Sequence, residues 1–164
     1  MQLKWFKVVE KLFMISGGKG GAVEMFTSEY EHTIDAKSRM FIPAKYREFV
    51  GSSVYLCKWT EGNLYFMTVK GWEEYKEKVL ENLSTTRDRN VLRRLFGWAT
   101  EVTLDSQGRI LIPPQYMEHA GLTDKAIIVG CGTRAEIWSP ERWKALNDSY
   151  DENEIIDVLS EKGL

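Results

Sequence analysis

The chain contains one stretch of itself twice. Sliding residues 26–51 forward by 70 positions lays FTSEYEHTIDAKSRMFIPAKYREFVG on FGWATEVTLDSQGRILIPPQYMEHAG. Ten of those 26 positions are identical: Phe26/Phe96, Glu31/Glu101, Thr33/Thr103, Asp35/Asp105, Arg39/Arg109, Ile42/Ile112, Pro43/Pro113, Tyr46/Tyr116, Glu48/Glu118 and Gly51/Gly121. Past the two glycines the offset grows by one residue, and Trp72 then falls on Trp143. A constant offset over so many positions marks a tandem duplication of a unit of roughly 45 residues. The fold must therefore be one that the same unit can enter twice, with a longer segment between the copies. At 164 residues the whole chain is of single-domain size.

Both copies predict the same order of elements. Glu31–Ile34 and Glu101–Leu104 alternate polar with apolar residues, the signature of a half-buried strand. A polar turn follows, Asp-Ala-Lys-Ser in the first copy and Asp-Ser-Gln-Gly in the second. Arg39–Ile42 and Arg109–Ile112 read as short apolar strands stopped by Pro43 and Pro113, each proline opening a short helix that ends at Gly51 or Gly121. Val54–Trp59 with Asn63–Val69, and Lys125–Val129 with Ala135–Trp138, then supply hairpins. Between the copies, residues 72–83 carry Trp72, Tyr75, Val79, Leu80 and Leu83 at helical spacing, and 86–96 place Val91, Leu92, Leu95 and Phe96 on one face. The expected class is α+β, mainly β, with peripheral helices. The expected boundaries are 26–72 for the first repeat, 73–97 for a helical connector, 98–144 for the second repeat and 145–164 for an acidic helix or tail.

Charge is graded along the chain. Residues 26–96 hold twelve Lys/Arg against ten Asp/Glu, whereas 97–164 hold six against twelve. A polyanion should therefore meet the first half. The four arginines of the connector, Arg87, Arg89, Arg93 and Arg94, read as a solvated rim or as a surface that touches phosphate or another subunit.

The feature common to both turns is Asp-x-x-x-Arg, two apolar residues, then Ile-Pro: Asp35 to Pro43 and Asp105 to Pro113. An Asp and an Arg four apart across a tight turn can pair and pin it, which leaves the guanidinium presented from a rigid strand start. A guanidinium in that position suits bidentate contact with a phosphate or a guanine edge. The same pairing could equally do no more than close the turn, and the residues alone leave the two readings level.

With this doubled motif, the opening Glu29-Tyr-Glu-His-Thr-Ile-Asp35 and the join from Phe96 to Pro114, residues 25–164 resemble the MraZ family. Its members are bacterial transcriptional regulators built from two tandem SpoVT-AbrB-type domains. The resemblance implies a swapped-hairpin, AbrB-like β-barrel in which the two repeats of one chain pair as a pseudo-dimer. It also implies binding to double-stranded DNA at direct repeats upstream of the protein's own cell-wall and cell-division operon, a ring-shaped homo-oligomer, and a place in the cytoplasm on the nucleoid. Carried onto this chain, the DNA-contacting residue is Arg39, with Lys37 as a phosphate contact and Asp35 as the orienting partner. Arg109 and Asp105 match the motif too, but their turn lacks the lysine and lies in the acidic half.

Other classes of function find less in the residues. His32 and His119 do not correspond across the repeats, the carboxylates are scattered and no nucleophile–base arrangement stands out, so no catalytic residue is assigned. Cys57 and Cys131 lack metal-ligand spacing, and neither a metal nor a cofactor is expected. No apolar run approaches the ~18 residues that would span a bilayer, so no membrane partner is expected. The rival reading is an oligomeric protein-interaction module without DNA binding, with an antitoxin-like grip on a partner protein.

Residues 1–24 read differently from the rest. Their apolar stretch is broken by Glu10-Lys11 and no small-x-small cleavage site follows, unlike a signal peptide. The glycine-rich run Ser16–Gly21 lacks the Gly-Lys-Ser/Thr ending of a phosphate loop. Lys19-Gly20-Gly21 can be encoded by AAAGGAGGN, a ribosome-binding sequence three codons ahead of Met25. Residues 1–24 are therefore expected to be leader translated from a start assigned too early. Intact-mass measurement of the native protein should find a species that begins at Met25; one that begins at Met1 would overturn the expectation.

Overall fold

A computed structural model describes residues 25–164, so the leader expectation lies outside the described residues. Each copy begins with a strand, a tight turn and a second, shorter strand: β1 (Glu29–Thr33) and β2 (Arg39–Phe41), then β5 (Ala99–Thr103) and β6 (Arg109–Leu111). Short helices follow the two prolines, α1 (Ala44–Arg47) and α4 (Pro114–Ala120). Gly121 ends α4 in the left-handed region at φ 61°, the usual stop for a helix. The hairpins are β3 (Ser53–Lys58) with β4 (Leu64–Thr68), and β7 (Lys125–Gly130) with β8 (Ala135–Trp138).

A helix then leaves each hairpin at once. In the first copy α2 (Val69–Asn82) starts three residues ahead of the expected 72, because the Thr68 hydroxyl accepts from the Gly71 N–H and caps it. In the second copy Ser139 caps α5 (Pro140–Asp148) in the same way. The sequence pattern gave no separate helix there. A capping box at Thr85 and Asp88 opens α3 (Thr86–Gly97), and the chain closes with α6 (Glu152–Glu161).

The strands pair across the repeats. β1 of the first copy lies antiparallel to β7 of the second, with Glu29 opposite Val129 and Thr33 opposite Lys125. β5 of the second lies antiparallel to β3 of the first, Ser53 opposite Thr103. β4 meets β8, and β2 meets β6 in a separate two-stranded ribbon. The large sheet runs β1-β7-β8-β4-β3-β5. It is open, which corrects the expectation of a closed β-barrel. Each edge strand turns at Asp35 or Asp105 into the ribbon, and the ribbon strands take each other as partners, so β1 and β5 never meet.

One apolar cluster sits between sheet and ribbon. Alternation sends Met40 and Ile110 inward from the ribbon, where both are completely buried beside Ile42, Ile112, Tyr46 and Tyr116. The two tyrosines are related by the repeat and keep related bonds: Tyr46 donates to the Thr27 carbonyl at 2.7 Å and Tyr116 to the Trp98 carbonyl at 2.9 Å. Burial raises the pKa of both phenols, Tyr116 to about 12. A second, smaller cluster holds Trp72 against Tyr55, with ring centroids 5.1 Å apart, and fixes α2 to β3.

Among the described glycines, Gly130 is the one packed directly against main chain. A Cβ there would collide with the main chain of Phe26 and Thr27, where the chain enters β1. Backbone cannot move aside as a flexible side chain does, so Gly130→Ala should cost about 3 kcal/mol or more. Chemical denaturation should show it as a lower midpoint with an unchanged slope.

Candidate nucleic-acid interface

The two Asp turns superimpose bond for bond. In the first, the Asp35 N–H donates to the Arg39 carbonyl at 3.0 Å and the Ser38 N–H donates to the Asp35 carbonyl at 2.9 Å. In the second the same bonds run from Asp105 to Arg109 at 2.8 Å and from Gly108 to Asp105 at 2.9 Å. This is a type I turn followed by one left-handed residue. Gly108 takes that position at φ 79°, as glycine does freely, while Ser38 takes it at φ 59°.

Each aspartate acts as a clamp. Oδ1 of Asp35 accepts from the backbone N–H groups of Lys37 (2.9 Å) and Arg39 (3.0 Å), and Oδ2 accepts from Arg39 Nε at 2.7 Å. Asp105 repeats this with Gln107, Arg109 and Arg109 Nε at 2.9, 3.0 and 2.7 Å. These bonds, led by the backbone bond from Arg39 or Arg109, hold both carboxyl groups below the usual carboxylate range. Only Nε of each guanidinium is used. The terminal Nη1 and Nη2 of Arg39 and Arg109 have no hydrogen-bond partner among the described residues.

The ribbon then brings the two arginines together. Arg39 stands opposite Leu111 and Arg109 opposite Phe41, so all four side chains leave the same face while Met40 and Ile110 point into the core. That face carries two clamped guanidinium groups between two exposed apolar side chains, Phe41 at 41% and Leu111 at 55% exposure. The copies are not equal. Arg39 keeps 34% of its side-chain surface and Arg109 only 18%, in part because the Arg109 guanidinium lies 5.7 Å from the centroid of the Phe41 ring.

Arg47, from α1, lies across the second turn: a Cβ on Gly108 would come within 2.5 Å of its Cδ. Its cation also helps to hold the His32 pKa below the usual histidine range, after the larger effect of burial. Lys37 is exposed at the tip of the first turn and makes no ion pair among the described residues. The five residues singled out from the sequence thus lie on two turns joined by one ribbon. Phe41, Leu111 and the placement of Arg47 were missed. Phe41 and Leu111 could have been found by carrying the inside–outside alternation through the ribbon; Arg47 lies 61 positions from Gly108 and has no local signal.

The other candidates are held by structural contacts. His119 Nε2 lies 2.8 Å from the Trp59 carbonyl, and neither histidine hydrogen-bonds a carboxylate among the described residues. Among the described residues no three His, Cys, Asp or Glu gather into a metal-binding group, and no helix is long and apolar enough to cross a membrane.

Fold and site together describe a duplicated strand–turn unit that presents two clamped arginines from one ribbon. Comparison with known proteins gives this arrangement its family. The family model described as "MraZ protein, putative antitoxin-like" matches residues 25–94 and again 95–161. A protein of Clostridium acetobutylicum named transcriptional regulator MraZ is 39% identical over 142 residues, covering 85% of this chain and all of that protein. One of the same name from Ligilactobacillus salivarius is 42% identical over 130 residues, 79% of this chain and 91% of that protein. The chain belongs to the MraZ family, with the family unit present in two tandem copies.

Two measurements probe the turns. Ser38→Gly should stabilise the protein by about 0.5–1 kcal/mol, the left-handed penalty less the added freedom of glycine in the unfolded chain, and raise Tm by about 2 °C. A lower Tm would show that the serine side chain itself supports the turn. Because both aspartates titrate below their ordinary range when folded, their contribution is complete above that range, near pH 4, and is lost as the pH falls through the lowered values. The Asp35→Asn, Asp105→Asn double variant should therefore show a shallower fall of Tm in acid than the parent.

Proposed function

We propose that this protein is a sequence-specific DNA-binding transcriptional regulator, and that the outward face of the β2–β6 ribbon is its contact surface. The observation that carries the reading is the pair of arginines clamped through Nε, with both terminal nitrogens unpartnered among the described residues, on one two-stranded ribbon. A major groove about 12 Å wide admits such a ribbon, and a guanidinium with two free nitrogens fits the O6/N7 edge of guanine or a phosphate. Phe41 and Leu111 on the same face suit the methyl group of thymine. The relatives' name, transcriptional regulator, points the same way.

Arg39 takes the principal contact, being the more exposed of the two and standing beside Lys37, with Asp35 orienting it. Arg109, partly covered and held by Asp105, takes the lesser one. The exchange of strands between the repeats is what a swapped-hairpin pseudo-dimer would produce. The regulator would act in the cytoplasm, on the nucleoid, on direct repeats upstream of its own cell-wall and cell-division operon, as a ring-shaped homo-oligomer.

The need for several copies follows from the number of cations. One turn offers Lys37 and Arg39, with Lys45 and Arg47 on the next helix. At a slope of ~0.9 per phosphate neutralised, contact by one such module weakens steeply at physiological salt. Identical modules on one oligomer raise avidity by ~10²–10⁴ without new chemistry.

Arg39→Ala should abolish specific binding to DNA from upstream of the gene while leaving the protein folded, since a bidentate base contact is worth ~1–3 kcal/mol at every engaged subunit. Arg109→Ala should lose less. Equal losses would show that both turns read DNA alike, and undiminished binding by folded Arg39→Ala would end the assignment. On the DNA side, two repeats ~10 bp apart should bind strongly and one poorly, and a ~5 bp insertion should remove the gain. Absence of salt-sensitive retention on duplex DNA or heparin would instead favour a protein-interaction module.

A further inference from the structure

Among the described residues, α6 is a helix without a partner. It has ten residues, shorter than the ~12–15 at which an isolated helix is even marginal in water. Every residue from Glu152 to Glu161 is nevertheless exposed. Ile155, Ile156, Val158 and Leu159 form one contiguous arc, and Ile156 alone leaves 63% of its surface in water. Glu154 and Glu161 stand seven residues apart along one flank of that arc, as Arg87 and Arg94 do on α3, while Glu152 lies within the arc and Asp157 on the opposite side of the helix. There is no basic residue in the helix and no ion pair to any of these carboxylates among the described residues.

α3 presents the opposite surface. It carries four arginines against one aspartate. Leu92, Leu95 and Phe96 turn towards the body of the protein, whereas Val91 remains 49% exposed. Arg87 and Arg94 stand four residues before Val91 and three after it, on the same flank of the helix, and neither has an ion pair among the described residues. Arg89 and Arg93, by contrast, donate to Thr86 and Asn90 of their own helix.

We propose that the apolar arc of α6 docks on the Arg87–Val91–Arg94 flank of α3 in a neighbouring copy of this chain. The proposal rests on the homo-oligomer read above and names the surfaces that would join it. Both faces stay uncovered by the described residues, and their charges are complementary. The two surfaces differ, so the contact is head to tail: every copy offers one α3 and one α6, and the series closes into a ring if the rotation per step allows. The contact also puts the acidic end of the chain to use away from the ribbon, where it would repel DNA.

Charge reversal tests the contact in the full chain. Arg87→Glu with Arg94→Glu makes both faces acidic; Glu154→Lys with Glu161→Lys makes both basic. All four positions are on exposed helix surface, and circular dichroism checks that each variant is folded. In native mass spectrometry the parent should exceed a dimer of the 19.0 kDa chain, and each variant alone should fall to monomer. Mixing the two variants, or combining all four changes in one chain, should restore assembly. Variants that assemble like the parent would overturn this contact and leave the oligomer standing. Loss of assembly without rescue would overturn it too, as would unchanged assembly with weakened DNA binding by Arg87→Glu/Arg94→Glu, which would give α3 to DNA. A monomeric parent that still binds DNA would remove the oligomer while the ribbon reading survives.

Discussion

Backbone hydrogen bonding between the repeats is the constraint on which this structure depends. β1 finds its ladder partner in β7 and β5 finds its own in β3, and the ribbon needs one strand from each copy. A single repeat would leave these strands as open edges, with unpaired N–H and C=O groups and the inner faces of Met40 or Ile110 in water. Core, sheet and paired turns therefore form together or not at all. The duplication supplies complementary halves at an effective concentration that no separate chain could match.

The two clamped turns show how the fold makes a stiff charged surface without burying charge. Each aspartate spends its oxygens on two backbone N–H groups and one Nε, so turn geometry and arginine direction are set by the same carboxylate. Exposed ion pairs alone contribute little to stability. Here the value lies in orientation: a long side chain that would otherwise sample many rotamers is held at its base before any ligand arrives.

Much of this was legible in the sequence. The repeat offset placed Asp35 beside Arg39 and Asp105 beside Arg109, and the prolines marked where both short helices begin and Gly121 where α4 ends, because turns and caps are local chemistry. α1 instead stops at Arg47, short of the expected Gly51. The open sheet was not legible. Whether edge strands meet depends on where β2 and β6 find partners, and both outcomes have the same alternation of residues. The sequence set Arg109 apart from Arg39 only by its missing lysine and acidic surroundings. That Arg109 is also the more covered was not legible, because the Phe41 ring beside it is a contact between strands 68 positions apart. α5 went unseen because its start is marked by Ser139 and Pro140 in a segment that also reads as the end of a hairpin.

The inequality of the turns has a consequence for direction. Two identical chains related by a twofold axis look the same from either end, and such an object fits a palindrome. In this chain the halves are covalently joined and distinguishable: one turn carries Lys37 beside an open arginine, the other Gln107 beside a covered one. The molecule therefore has a front and a back. A row of such bodies laid along a double helix would point one way, as an arrow does, and the sequence written beneath it would have to be read in the same sense each time.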